Sequence, residues 1–331
     1  MFFWKSAASA VPHRMWRHFQ APARRAAGLG LLRSNASLPS MRHPMTVHAH
    51  FSTEAPRKVK KSKVPQRSDP HLRVRLVPMF DDNYGFLVID EANQHVVAVD
   101  PAQPSAMIPV LEEELSKPGR EFLGILTTHG HADHCGGNVA IVDKFPDLLV
   151  AGPHNEVIPR VTKSLKGGEE FKIGAMTIEV LAVPCHTKGH LAYLISGDPS
   201  TPPLLFPGDT LFVGGCGRFF EGTAENMYHA LYEVFLHLPK DTKVYCGHEY
   251  TMANLRFALS VDPTNAAVRD KINWAKLRRS KNLPTIPSTL REEMAYNPFL
   301  RVHDDVIVNA VGGTDPVAVL ANLRRKKDSF I

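Results

Sequence analysis

The sequence predicts an α/β fold followed by a mainly helical C-terminal region. Short β-branched and aromatic runs recur from Val74 onward, amphipathic runs interleave with them, and strands nearly cease beyond residue 250. Strands that alternate with helices in this irregular order fit neither a simple parallel array nor an all-β sandwich.

Taken in order, residues 74–80, 85–89 and 96–99 read as strands, with turns at Asp81-Asp82-Asn83 and Glu91-Ala92-Asn93. Residues 105–115 place Met107, Ile108, Leu111 and Leu115 on one helical face. Residues 122–127 read as a strand, 138–145 as a helix and 148–150 as a strand. Residues 171–183 give two strands about Gly174-Ala175. Residues 192–195, 204–206 and 243–245 are further short strands, with a helix over 224–236. Residues 254–259, 265–279, 288–295 and 316–326 read as helices. Ser288 with Glu292, and Thr314-Asp315-Pro316, mark two of their starts. The boundary falls near residue 250, separating residues 73–249 from 250–331.

The chain has 331 residues, 44% of them hydrophobic, enough for a substantial core in one large domain or two. No apolar run reaches the roughly 18 residues of a membrane helix. The net charge of +6 hides an asymmetry. Residues 1–67 carry 13 Lys and Arg against one acid, Glu54, and the remaining 26 basic and 32 acidic residues leave the rest at −6. A net-acidic body gives no general case for nucleic-acid binding. Before Glu54 the chain has no acid but carries Lys5, Arg14, Arg17, Arg24, Arg25, Arg33 and Arg42 among Ala, Ser, Leu and Phe. That is the composition of an organelle transit peptide, and the mitochondrial matrix is the expected address. Arg57 to Lys63, between Pro56 and Pro65, reads as a solvated linker, so residues 1–72 are expected to be leader and linker. Cys135, Cys185, Cys216 and Cys246 show no CxxC spacing, and reduced thiols are expected.

The chemistry concentrates in Thr128-His129-Gly130-His131-Ala132-Asp133-His134, directly after an apolar strand. Imidazole and carboxylate are ligands for zinc, iron and manganese, and four of them exceed what three-ligand catalytic sites use. Three later motifs also follow apolar runs: Pro184-Cys185-His186-Thr187, Gly208-Asp209-Thr210 and Gly247-His248-Glu249. Taken singly, each His is more often a turn residue and Asp209 a cap. Together they place donors at several strand ends on one sheet edge.

The order HxHxDH, His, Asp, His resembles the metallo-β-lactamase superfamily. The resemblance implies an αββα sandwich and two divalent metals, zinc first, with iron or manganese acceptable to the same donors. It assigns His129, His131 and His186 to one metal, Asp133, His134 and His248 to the other, and Asp209 to both. It also implies that a water shared by the metals attacks an electrophilic carbonyl, with Asp133 and Asp209 as the catalytic carboxylates. His190 is then read as a supporting group, because seven ligands are already supplied.

Further segments look like glyoxalase II, the hydroxyacylglutathione hydrolases. These are Gly208 to Phe212, Gly215 to Gly222, Tyr245 to Thr251, Asn297 to Arg301 and Arg324 to Asp328. The resemblance spans residues 74–330 and implies hydrolysis of S-D-lactoylglutathione to D-lactate and glutathione. Glutathione is anionic, and Arg and Lys suit carboxylate recognition. By matching position, Arg324 and Lys327 would hold the glycine carboxylate, Arg218 the tripeptide, and Phe220, Tyr250 and Phe257 the groove wall. No nucleic-acid or membrane partner is expected, and the expected state is a monomer. Phe220 stands where the family often has Tyr, and Gly130 and Ala132 where it commonly has His and Trp. Small residues at those two positions also occur in the mono-iron persulfide dioxygenases of the same superfamily, the alternative enzyme. A non-catalytic binding protein on this scaffold is the alternative from another class, and an intact ligand set argues against it.

Overall fold

The computed structural model describes residues 72–330. The expected leader and linker lie outside the described residues but for Leu72. The first half of the fold runs β1 (Leu72–Met79), β2 (Asn83–Asp90), β3 (His95–Val99), α1 (Pro104–Leu115), β4 (Glu121–Leu126), α2 (Ala132–Cys135), α3 (Asn138–Lys144), β5 (Leu149–Pro153) and β6 (Lys163–Leu165). These strands form one sheet in sequential order, antiparallel from β1 to β3 and parallel from β3 to β6.

The second half contributes β7 (Glu170–Ile173), β8 (Met176–Ala182), β9 (Leu191–Ser196), β10 (Leu204–Phe206), the small hairpin β11 (Leu211–Phe212) and β12 (Gly215–Cys216), α4 (Ala224–Tyr228) and β13 (Lys243–Val244). Then follow α5 (Thr251–Val261), α6 (Ala266–Arg279), β14 (Ser288–Thr289), α7 (Leu290–Tyr296), α8 (Asp305–Val311) and α9 (Pro316–Asp328). The second sheet has the order β14-β13-β10-β9-β8-β7.

Period-two alternation stacks these sheets face to face. Phe86 and Val88 of β2, Val97 and Val99 of β3, Leu191, Tyr193 and Ile195 of β9, and Leu204 and Phe206 of β10 all enter the core between the sheets. Their neighbours face outward. Leu87, Ile89, Val96 and Ala98 meet Met107 and Leu111 of α1 and Ile141 of α3. Ala192, Leu194 and Leu205 meet Met227, Leu231, Leu320 and Leu323 from helical segments on the other side. The layers are therefore helix, sheet, sheet, helix, with strands buried on both faces.

Most predicted elements lie within a few residues of their expected bounds. The helix expected over 224–236 is α4 followed by a wider π-helical turn, His229–Val234, and a 3-10 turn, Phe235–His237. The helix start expected at Ser288 falls one residue later, where Thr289 and Glu292 form a reciprocal capping box. The strands β6, β11, β12 and β14 have two or three residues each, too short for any period to register. All four cysteines are buried free thiols. Among the described residues no single helix is long and apolar enough to cross a membrane.

A buried ion network fastens α1 to the edge strand. The Glu114 side chain is 1% exposed and meets Arg73, Arg75, Lys117 and Arg120 at 2.7–3.0 Å. Burial alone would raise its pKa, but hydrogen bonds from Lys117, Arg75 and Arg73 outweigh that and hold it at about 2. The resulting stability is fully present above the ordinary value of 4.5 and is lost as pH falls from there towards about 2. Glu114→Gln leaves Arg120 its bonds to Glu91 at 2.5 Å and Gln94 at 3.0 Å but removes the carboxylate that four cations share, and is expected to cost about 2 kcal/mol near neutrality. Urea unfolding across the acid range should show the variant losing this acid-sensitive component. An unchanged midpoint near neutrality would refute the network's role.

Candidate metal centre

Every predicted metal donor lies on one edge of the sandwich. His129 and His131 follow β4, Asp133 and His134 ride on α2, and His186, Asp209 and His248 follow β8, β10 and β13. Three overlapping groups have ligand atoms within 4.8 Å of one another: His129, His131 and His186; His129, His134 and Asp209; and Asp133, His134 and His248. All seven predicted donors are thus brought together.

Asp209 sits at their middle. Its Oδ1 lies 3.3 Å from His134 Nε2, and its Oδ2 lies 3.4 Å from His186 Nε2 and 3.3 Å from His248 Nε2. His131 Nδ1 stands 3.0 Å from His129 Nε2 and 3.2 Å from His186 Nε2. His248 Nε2 also stands 3.6 Å from Asp133 Oδ2.

The far nitrogen of each of four imidazoles is held from behind. His134 Nδ1 meets Asp100 Oδ2 at 2.9 Å, and His248 Nδ1 meets Asp82 Oδ1 at 2.9 Å. His186 Nδ1 meets the Arg218 carbonyl at 3.1 Å, and His129 Nδ1 meets Thr128 Oγ1 at 3.0 Å. Such partners fix ring orientation and leave Nε2 directed at the centre. Asp100 also accepts from the Thr128 N–H at 2.8 Å and from its hydroxyl at 2.7 Å, so one carboxylate sets both the loop and a ring. Its backbone has φ of 48°, a left-handed conformation that Asp tolerates better than most residues.

Asp209 is positioned by the residues around it. Its N–H donates to His190 Nε2 at 3.1 Å. Burial, then repulsion from His186, pushes the His190 pKa down to about 3, so the ring is neutral and can accept. His190 therefore supports the centre, as expected. Gly208 has φ of 49°, and a Cβ there would lie 2.7 Å from both His190 and Thr128, so only glycine suits the turn before Asp209. Burial would raise the Asp209 pKa, but the neighbouring His134 and His248 hold it well below the usual carboxylate range.

These residues fit a cation. His134 Nε2 and Asp209 Oδ1 are buried and face each other, yet neither has a hydrogen-bond partner. Orphaned buried polar atoms are costly, and a mixed set of imidazole nitrogens and carboxylate oxygens is what divalent metals accept.

The centre opens into a cavity of about 480 Å³ lined by His131, Asp133, His186, Asp209, His248, Phe212, Arg218, Phe220, Tyr250, Arg324 and Lys327, among others. Tyr250 stacks on His248 with ring centroids 4.7 Å apart, and Phe220, 60% exposed, lies 4.9 Å from His186. Arg324 is buried, not a solvated helix end. It donates to the Cys216 carbonyl at 2.9 Å and to Asp328 at 3.0 Å, and its buried Nε has no partner. Burial, then repulsion from Arg324, Arg256 and Arg218, lowers the Lys327 pKa, the mark of an electropositive pocket.

Phe257 departs from expectation. It is fully buried against Phe299 and beneath Lys327, because its face of α5 belongs to the outer core, and it does not line the cavity. Sequence reasoning missed Asp82, Asn83 and Asp100. Asp100 carries the same signal as the ligands, an acid directly after the apolar strand β3. Asn83 Nδ2 donates to Asp133 Oδ2 at 3.0 Å, but nothing in its own turn announces that role.

Comparison with known proteins agrees with this geometry. The model of the metallo-beta-lactamase superfamily matches residues 82–248, and that of the hydroxyacylglutathione hydrolase C-terminus matches residues 249–330. A hydroxyacylglutathione hydrolase-like protein of Gallus gallus is 46% identical over 78% of this chain and 90% of its own length. The cytoplasmic hydroxyacylglutathione hydrolase of Arabidopsis thaliana is 43% identical over 78% of this chain and 99% of its own length. Among solved structures, ETHE1 from Myxococcus xanthus shares 25% identity with a TM-score of 0.51, covering 77% of this chain and 98% of that one. Both regions are matched, and identity to whole-length relatives exceeds 40%, so the chain belongs to the hydroxyacylglutathione hydrolase family within the metallo-β-lactamase superfamily.

Proposed function

We propose that this chain is a thioester hydrolase that converts S-D-lactoylglutathione into D-lactate and glutathione with two divalent metals, zinc first, iron or manganese being acceptable to the same donors. The observation that carries this reading is one cavity holding both a seven-donor centre and a cationic pocket. His129, His131 and His186 would hold one ion, Asp133, His134 and His248 the other, and Asp209, which reaches towards both sides, would bridge them. When bound, such a pair lowers the pKa of a shared water towards neutrality, from about 15.7 in bulk, and polarises the thioester carbonyl.

The chain's own residues do the rest. The Asp133 side chain is 44% exposed and faces the cavity, where its free edge would orient the attacking water. Arg324 and Lys327, which both line the cavity, would hold the glycine carboxylate. Arg218 would meet the tripeptide, and Tyr250 and Phe220 would flank it. Because the charged contacts lie away from the reacting carbonyl, they bind ground state and transition state alike. Phe220 offers a ring face but no hydroxyl, so this wall orients substrate by contact alone. The N-terminal composition supports delivery to the mitochondrial matrix, and the folded unit is expected to act as a monomer.

Purified protein should hydrolyse S-D-lactoylglutathione with release of free thiol and carry about two metals per chain. No thiol release from a folded sample holding two metals would sink the assignment, and one iron per chain would point instead to the mono-iron dioxygenase branch. Arg324→Ala and Lys327→Ala should each raise KM more than they lower kcat; an unchanged KM with reduced kcat would count against a binding role. Asp209→Ala should lose metal and activity together, and a variant that keeps both ions would disprove the bridge.

A further inference from the structure

Glu156, in the loop after β5, joins the two loops that carry His129, His131 and His186. One of its oxygens, Oε2, accepts the N–H of Gly130, the residue between His129 and His131. The other, Oε1, accepts the Thr187 hydroxyl at 2.5 Å and the Gly189 N–H at 2.9 Å. Thr187 directly follows His186, and Gly189 lies three residues beyond His186. We infer that Glu156 is a positioning residue that sets the spacing of this one half of the metal centre, and that Gly130 is small so that the Glu156 carboxylate can enter. The inference rests on the ligand assignment proposed above.

Three features favour it. Both glycines leave room for the carboxylate: a Cβ at Gly130 would lie 2.8 Å from Glu156 Oε2, and one at Gly189 would lie 2.8 Å from Oε1. Bonds from N–H and O–H donors to an ionised carboxylate are the strong, short class of hydrogen bond, so they resist the outward swing of either loop. Glu156 is absent from the groups whose donor atoms converge, so it acts through the loops and not as a ligand. The other half of the centre has supports of its own in Asp82 and Asn83, while Asp100 braces both His134 and the Thr128 behind His129. Loss of Glu156 should therefore disturb the two halves unequally.

The test is zinc titration against a chromogenic chelator, with thermal unfolding on the same samples, for wild type, Glu156→Gln, Glu156→Ala, Gly130→Ala and the Gly130→Ala/Glu156→Ala pair. Glutamine keeps the shape but offers one acceptor oxygen where the carboxylate offers two. Wild type should bind two ions, and Glu156→Gln should bind one of them about tenfold or more weakly and the other unchanged. Gly130→Ala should weaken the same ion in the wild-type background and add nothing once Glu156 is alanine. Equal weakening of both ions, no weakening of either, or additive penalties in the pair would overturn the inference. A wild-type protein with fewer than two ions would overturn the ligand assignment, and the inference with it.

Discussion

A single buried carboxylate organises this molecule. Asp209 is reached by His134, His186 and His248, which arrive from α2 and from the ends of β8 and β13. Both sheets of the sandwich are thereby tied at one edge by one anion. The arrangement is costly to bury, since His134 Nε2 and Asp209 Oδ1 are taken from water and left without a hydrogen bond. Rigid backing from Asp82, Asp100, Thr128 and His190 holds it open regardless. Ions that relieve this crowding would bind a preformed cage, and their binding free energy would add to the stability of the fold.

The centre was legible in the sequence because each donor motif directly follows an apolar strand or, for His131, Asp133 and His134, the turn just beyond one. Strand alternation was equally legible, and it separates Phe86 and Val88 from Leu87 and Ile89 as period two requires. The carboxylates that brace the centre were harder to read. Asp82 and Glu156 lie in turns with no motif of their own; the His248 that Asp82 holds is 166 residues away along the chain, and the partners of Glu156 are 26, 31 and 33 away. Phe257 was misplaced for a related reason. Matching position marks a residue near a groove but does not say which face of a helix it occupies, and the core claimed that face.

The outer helical region also does more than cover a sheet. The fully buried Glu293 accepts the Gly214 N–H at 2.9 Å, and Asn297 donates to the carbonyls of Phe212 at 3.2 Å and Gly215 at 3.0 Å. With Arg324 on the Cys216 carbonyl, three side chains from beyond residue 290 hold the β11–β12 hairpin, which walls the cavity through Phe212 and Cys216.

That grip bears on how such proteins diversify. The two matched regions meet at residues 248 and 249, which looks like a seam along which tails could be exchanged between relatives. The hydrogen bonds do not respect the seam. A transplanted tail would meet a foreign hairpin, and Glu293 and Asn297 would keep each other and Tyr296 but lose their bonds to the hairpin wherever its backbone took another path. The tail is therefore fitted to the backbone path of residues 211–216, and recombination that changed that path would carry a folding penalty before it altered any substrate contact.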